Sequence, residues 1–220
     1  MNRTDFIRRY PVLFHTAADG AWPSIRENGL FSTSALVFEF DPPGEVRTDV
    51  LRSVRRKGYV LSRPGRDDVT IRDQGPLKFL SVCLEPGVTE QDYLDALNAR
   101  VFFHVNEHDL HRLLGARRYR AHPQTVLTID TEEFLARHPE VELSPYNTGS
   151  VHVPNMPARG PSLFTPLEDY PWDAWRAKRG VEAAVRELTV IEWADVVPAV
   201  LRVERWHLGE PVETIFEADW

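Results

Sequence analysis

The sequence predicts an α+β fold organised as a single domain over residues 1–220. Three observations lead there. Apolar, β-branched runs mix with capped helical segments, without the regular strand–helix–strand alternation of a doubly wound sheet. A length of 220 residues at 42% apolar content suits one well-buried core. No linker rich in Gly, Pro or Ser separates two cores.

Taken in order, Val12-Leu13-Phe14-His15 reads as a short buried strand entered through Pro11. A helix starts within residues 19–25, where Pro23 is tolerated because a first-turn N–H has no helical partner. Gly29 closes that helix, with Leu30 as its apolar contact. Residues 32–70 carry the weakest pattern. Asp41-Pro42-Pro43-Gly44 breaks any helix there, and 49–57 reads as helical. Val69-Thr70-Ile71-Arg72-Asp73 reads as a strand end. Thr89-Glu90-Gln91-Asp92 resembles a capping box that opens a helix to about Asn98. Arg100 to Val105 is β-branched and aromatic, hence a strand. Asn106 caps a helix with Leu110, Leu113 and Leu114 on one face. Residues 125–129 form a strand, and Asp130 or Thr131 caps a short helix that stops before Pro139. Residues 144–175 are irregular, a pattern more often functional than idle. The pattern then predicts a helix over 176–186 and strands over 187–191 and 200–206.

Composition excludes several classes. No apolar run approaches the ~18–20 residues of a membrane helix. Arg3, Arg8 and Arg9 precede no apolar stretch, so no signal peptide is expected. The one cysteine, Cys83, rules out an intrachain disulfide and a multi-cysteine metal cluster, and a cytoplasmic location is expected. The net charge of −7 opposes general nucleic-acid binding. It is unevenly spread. Residues 1–72 hold 12 basic and 9 acidic side chains; the remainder holds 14 and 24. The basic excess gathers at Arg52, Arg55, Arg56, Lys57, Arg63 and Arg66, either a solvated face or an anion-binding surface. Glu204, Glu210, Glu213, Glu217 and Asp219 make the C-terminal end acidic.

Four constellations bear on chemistry. His104, Glu107, His108 and His111 tempt a metal reading, but His104 falls in the strand and no HExxH pattern occurs, so no metal is expected. Cys83 sits in an apolar setting and reads as an inert buried thiol. Neither GxGxxG nor GxxxxGK[ST] is present, which leaves Rossmann and Walker nucleotide sites unsupported. Finally, His15, Arg72 and Glu187 are polar residues beside apolar strand residues. Such groups need partners or a cleft, and nothing in spacing alone joins them.

The block Leu13-Phe14-His15-Thr16 through Trp22-Pro23-Ser24-Ile25 to Gly29-Leu30 resembles the start of DarT-type ADP-ribosyltransferases, in which a strand ends in His-x-Thr and a helix leads to Gly-Leu. RNA 2′-phosphotransferases share the helix-to-Gly-Leu unit, but their basic phosphate-holding residues find no match. Val101-Phe102-Phe103-His104 resembles the family's aromatic strand, with His104 in place of its last aromatic. Arg186-Glu187-Leu188-Thr189-Val190 resembles the segment bearing the catalytic glutamate. The likeness covers about half of the chain, in pieces, and points to a distant bacterial branch of the superfamily.

The resemblance implies a mixed or antiparallel split sheet with flanking helices, and NAD as co-substrate. His15 would hold the nicotinamide-side ribose, donating to a hydroxyl, with Thr16 beside it. Arg72 would clamp the pyrophosphate or orient the acceptor. Glu187 would be the catalytic glutamate. Asn147, Thr148, Arg159 and Tyr170 would face the acceptor from the irregular loop. The acceptor stays open: single-stranded nucleic acid, protein or a small molecule, with no membrane partner. A non-catalytic binding module on the same fold, an NAD glycohydrolase and an unrelated α+β enzyme are the alternatives.

Overall fold

The computed structural model describes residues 1–218. In chain order its elements are α1 (Arg3–Arg9), β1 (Val12–Ala18), α2 (Trp22–Asn28), β2 (Leu30–Phe31), α3 (Thr33–Phe40), α4 (Gly44–Arg52), β3 (Tyr59–Arg63), β4 (Arg66–Ile71), α5 (Glu90–Asn98), β5 (Arg100–His104), α6 (Glu107–Leu114), β6 (Gln124–Asp130), α7 (Thr131–Arg137), β7 (Glu142–Ser144), β8 (Thr165–Pro166), α8 (Trp172–Arg179), β9 (Glu187–Ile191), β10 (Trp193–Ala194), β11 (Val200–His207) and β12 (Glu210–Glu217). The fold is α+β, as the sequence predicts.

One eight-stranded sheet, ordered β12-β11-β6-β1-β5-β9-β7-β8, carries the molecule, and its neighbouring strands run antiparallel. β2 pairs with β10, and β3 with β4, outside it. Strand alternation sorts the side chains by face. Leu13, Phe103, Leu127, Ile129 and Leu188 face the main core, which α1, α2, α7 and α8 close through Phe6, Trp22, Phe134 and Trp172. The opposite face is covered in two parts. Leu110 and Leu114 of α6 pack on Phe14 and Val126. Tyr93, Leu94 and Leu97 of α5 pack beside Phe102. A satellite core of Val37, Phe40, Val50, Leu61 and Ile71 binds α3 and α4 to the β3–β4 hairpin.

The central pair is unequal. β1 pairs with β6 from Val12 through Ala18, yet meets β5 only at Phe14 opposite His104. Beyond that point β1 and β5 part.

Local chemistry accounts for most boundaries. Thr89 and Asp92 form the capping box of α5, while Asn106 and Asp130 cap α6 and α7. Two expectations need correction. The helix placed at 49–57 is α4 and begins at Gly44, because the breaker ends at Pro43, which serves as the N-cap. The helix placed at 176–186 runs from Trp172 and stops at Gly180, whose φ of 84° turns the chain away. β12 extends the acidic C-terminal end as an edge strand, and Asp219 lies outside the described residues. Among the described residues no helix is long and apolar enough to cross a membrane.

Gly29 joins α2 to β2 with φ 77° and ψ −168°, a conformation open almost only to glycine. A Cβ there would lie 2.5 Å from Trp193 Nε1 and 2.8 Å from the Ala194 carbonyl oxygen. We expect Gly29→Ala to destabilise the protein by roughly 2 kcal/mol or more in urea unfolding. A change below about 0.5 kcal/mol, the level of an ordinary surface substitution, would contradict this.

Candidate functional site

The parting of β1 from β5 opens two adjoining cavities. The larger, about 710 Å³, runs under α2, α3 and the β3–β4 hairpin. The smaller, about 380 Å³, lies toward α6 and the loop at 147–150. Both volumes suit small-molecule sites. His15, Thr16, Arg72 and Phe102 belong to the walls of both. Glu187 lines the smaller.

His15 sits in the gap. Alternation directs it to the main-core side, where its ring lies 5.6 Å from that of Phe103. Its Nδ1 lies 2.8 Å from the Phe102 carbonyl oxygen. A carbonyl only accepts, so Nδ1 carries the proton and donates. Burial lowers the His15 pKa to about 4, which keeps the ring neutral at pH 7. Nε2 is therefore an acceptor, and the expected donation from this ring to a ribose hydroxyl is reversed: the hydroxyl would donate to Nε2.

Arg72 follows directly on β4. It donates to Thr16 Oγ1 and to the Ala17 carbonyl, each at 2.9 Å, and to Gln124 Oε1. All three acceptors are neutral. Neighbouring Asp73 is engaged by Arg118 at 2.7 Å. Burial pushes the Arg72 pKa down to about 10, so the guanidinium stays charged at pH 7. A half-buried cation held only by neutral acceptors on a cavity wall is suited to an anion.

Glu187 opens β9 and is buried. Its Oε2 accepts from the Thr148 N–H at 3.1 Å and from Thr148 Oγ1 at 2.7 Å. The Thr148 carbonyl in turn accepts from the Tyr93 hydroxyl of α5 at 2.9 Å. Burial raises the Glu187 pKa to about 7; Asp109 adds to this while Thr148 opposes it.

His15, Thr16, Arg72, Asn147, Thr148 and Glu187 thus meet at one cleft, as the resemblance implies. Arg159 and Tyr170 do not line it. Arg159 is fully buried, donates to the Pro157 carbonyl at 2.6 Å and the Ser150 carbonyl at 3.0 Å, and ties the irregular loop together. Tyr170 is a core residue whose hydroxyl donates to the Ala184 carbonyl.

Much of the basic stretch is engaged within the protein, while Arg56 and Lys57 are exposed. Arg63 and Arg66 share Glu39, Arg47 pairs with Asp41, and Arg52 lies 3.7 Å from Asp95. Arg55 is buried and donates to the Arg72 carbonyl, the Val50 carbonyl and Asn98 Oδ1.

Sequence reasoning missed Asp109 and His104 as cleft residues, and Gln124 as a residue that holds Arg72. His104 was the one with a signal, since it replaces an expected aromatic on β5. His108 and His111 are exposed on α6. Among the described residues no group of three or more His, Cys, Asp or Glu side chains could hold a metal ion.

The family model of DUF7002, a family of unknown function, matches residues 11–202. The chain belongs to that family. The DUF7002 match includes every cleft residue named above and leaves out α1 and β12. No curated protein matches the chain.

The native Glu187 carboxyl keeps its proton up to about pH 7, whereas the unfolded one releases it above its ordinary 4.5. The native state then binds more protons, so stability falls as pH rises through that window. Glutamine keeps the acceptor for Thr148 and removes the charge. We expect Glu187→Gln to be more stable than the wild type at pH 8, by on the order of 3 kcal/mol, and nearly equal to it at pH 4. A urea-unfolding difference that does not vary with pH would refute this account.

Proposed function

We propose that the cleft binds NAD and that the protein transfers ADP-ribose from it to an acceptor. One observation carries this reading. His15, Arg72 and Glu187 come from three separate segments, and all line one cavity where the central strands part. The resemblance to DarT-type enzymes assigns roles to these same three residues.

The dinucleotide occupies the larger cavity and reaches with its nicotinamide-side ribose into the smaller, where Glu187 lies. Arg72 binds the pyrophosphate; its fork is already oriented by Thr16, Ala17 and Gln124. His15 Nε2 accepts from a hydroxyl of the nicotinamide-side ribose. Glu187 Oε1, the oxygen not used by Thr148, accepts from the ribose 2′-hydroxyl. Cleaving the bond from ribose to nicotinamide builds positive charge on the ribose, as in glycoside hydrolysis. A fixed carboxylate stabilises that charge. An ionised Glu187 is costly in the empty site, and a cationic ring beside it offsets that cost.

The acceptor enters through the smaller cavity, whose roughly 380 Å³ admits one small group such as a base, an amine or a hydroxyl. Arg47, Arg63 and Arg66 of the basic region are held by Asp41 and Glu39, which leaves little of it free for a nucleic-acid strand. This favours a small molecule or a single side chain over a long polymer. The one buried thiol accords with a reducing, cytoplasmic setting.

Incubation with labelled NAD and a panel of DNA, RNA, protein and small-molecule acceptors tests the reading. We expect nicotinamide release and a labelled product. Glu187→Gln should lower turnover by ~10²–10³ with the fold intact. Arg72→Gln should chiefly weaken NAD binding, by roughly tenfold or more, as loss of a charge-assisted contact does. Wild-type cleavage by a folded Glu187→Gln protein would overturn the assignment. Release of nicotinamide without any acceptor would make the protein a glycohydrolase.

A further inference from the structure

We propose that His104 is the base that takes the proton from the attacking acceptor, working opposite Glu187 as the second half of a divided acid–base site. The inference rests on the NAD reading above and adds a residue to it.

The placement comes from strand register. His104 ends β5 and Glu187 opens β9, and the two are direct cross-strand partners. Side chains so paired stand on one face, with Cβ atoms about 4.5–5.5 Å apart. Both line the smaller cavity, where the acceptor must enter. Phe14, the partner of His104 on the other side, packs with Leu110 and Leu114 of α6.

The second observation is what His104 lacks. Among the described residues neither of its ring nitrogens has a hydrogen-bond partner. Half-buried polar groups are normally satisfied, and an imidazole left open on a cavity wall is available to a ligand. The other carboxylates and the other imidazole of this wall already have partners, Asp73 through Arg118. Asp109 is held by Arg186 at 2.6 Å and by Asn106 Nδ2 at 3.0 Å. His15 is turned to the Phe102 carbonyl. Glu187 has one oxygen bound by Thr148 and needs the other for the ribose.

Burial lowers the His104 pKa to about 4 while Asp109 pulls it up, so the ring is neutral and holds a lone pair at pH 7. An imidazolium formed there would be favoured by the Asp109 carboxylate and opposed by the Arg72 guanidinium.

The step balances. A lone pair of the acceptor's N–H or O–H forms a bond to the ribose anomeric carbon as the bond to nicotinamide breaks. The electron pair of that bond returns to the pyridinium nitrogen, and nicotinamide leaves neutral. The acceptor's proton moves to the free ring nitrogen of His104, which passes it to solvent after product leaves. Water serves as acceptor by the same route.

Nicotinamide release at saturating NAD, with water as acceptor, and the NAD Kd by calorimetry test this on the full chain. We expect His104→Gln and His104→Phe to lower kcat by ~10²–10⁴, the usual worth of a general base, with Kd changed less than about threefold. Added imidazole should restore part of the rate to His104→Ala. His104→Phe puts back an aromatic of the kind the strand otherwise carries, and guards against a variant that fails to fold. If folded His104→Gln matches the wild type while Glu187→Gln is inactive, the inference fails and the NAD reading stands. If the wild type does not bind NAD, or binds it without ever releasing nicotinamide, both fall.

Discussion

A sheet can be cut open only where something else satisfies the backbone groups that the cut exposes. β1 holds β6 from Val12 to Ala18 and releases β5 after Phe14. Past that point Phe102 offers a carbonyl on β5 and Ala17 one on β1, with no ladder between them. Orphaned backbone acceptors in a partly dry gap are costly. His15 Nδ1 donates to the first and Arg72 to the second. The cleft therefore exists because two side chains stand in for missing strand pairing. Those side chains are the ones the chemistry would use, so the device that opens the site also fixes its geometry.

The same economy explains why the site tolerates unpaired charge. Arg72 has only neutral acceptors, and Glu187 has one donor residue, Thr148. Each would be more comfortable paired with a countercharge. Instead the countercharges are placed one step away. Asp73 goes to Arg118 and Asp109 to Arg186. The large main core under the sheet carries the stability that lets this face keep polar groups without countercharges. α5 supports the site directly, because the Tyr93 hydroxyl holds the Thr148 carbonyl and so aims its N–H and hydroxyl at Glu187.

Much of the fold was legible because its signals are local. The capping box at Thr89, the caps at Asn106 and Asp130, and the aliphatic runs of β6 and β9 need no distant partner to be read. α3 and β3 were not, and α4 and β4 were legible only in part, because their satellite core forms only when residues 37 to 71 come together. β12 escaped notice for the opposite reason: an exposed edge strand buries too little to show a pattern. The site was legible in its ends, His15 and Glu187, through resemblance. That His104 stands opposite Glu187 was not, because it follows from register, and register is a long-range property.

Arginine shows why the remaining misreadings went as they did. The guanidinium fork fits a carboxylate, a phosphate or a set of carbonyls equally well, so the residue type alone cannot say which it meets. In this chain the three uses fall on three residues. Arg66 meets the carboxylate of Glu39 on the surface. Arg159 meets carbonyls in an irregular loop that has no strand partner for them. Arg72 reaches a cavity wall with neutral acceptors as its hydrogen-bond partners. Net charge says nothing of this. What distinguishes an anion site in an acidic protein is the absence of a nearby carboxylate on one arginine, not the number of arginines in a stretch.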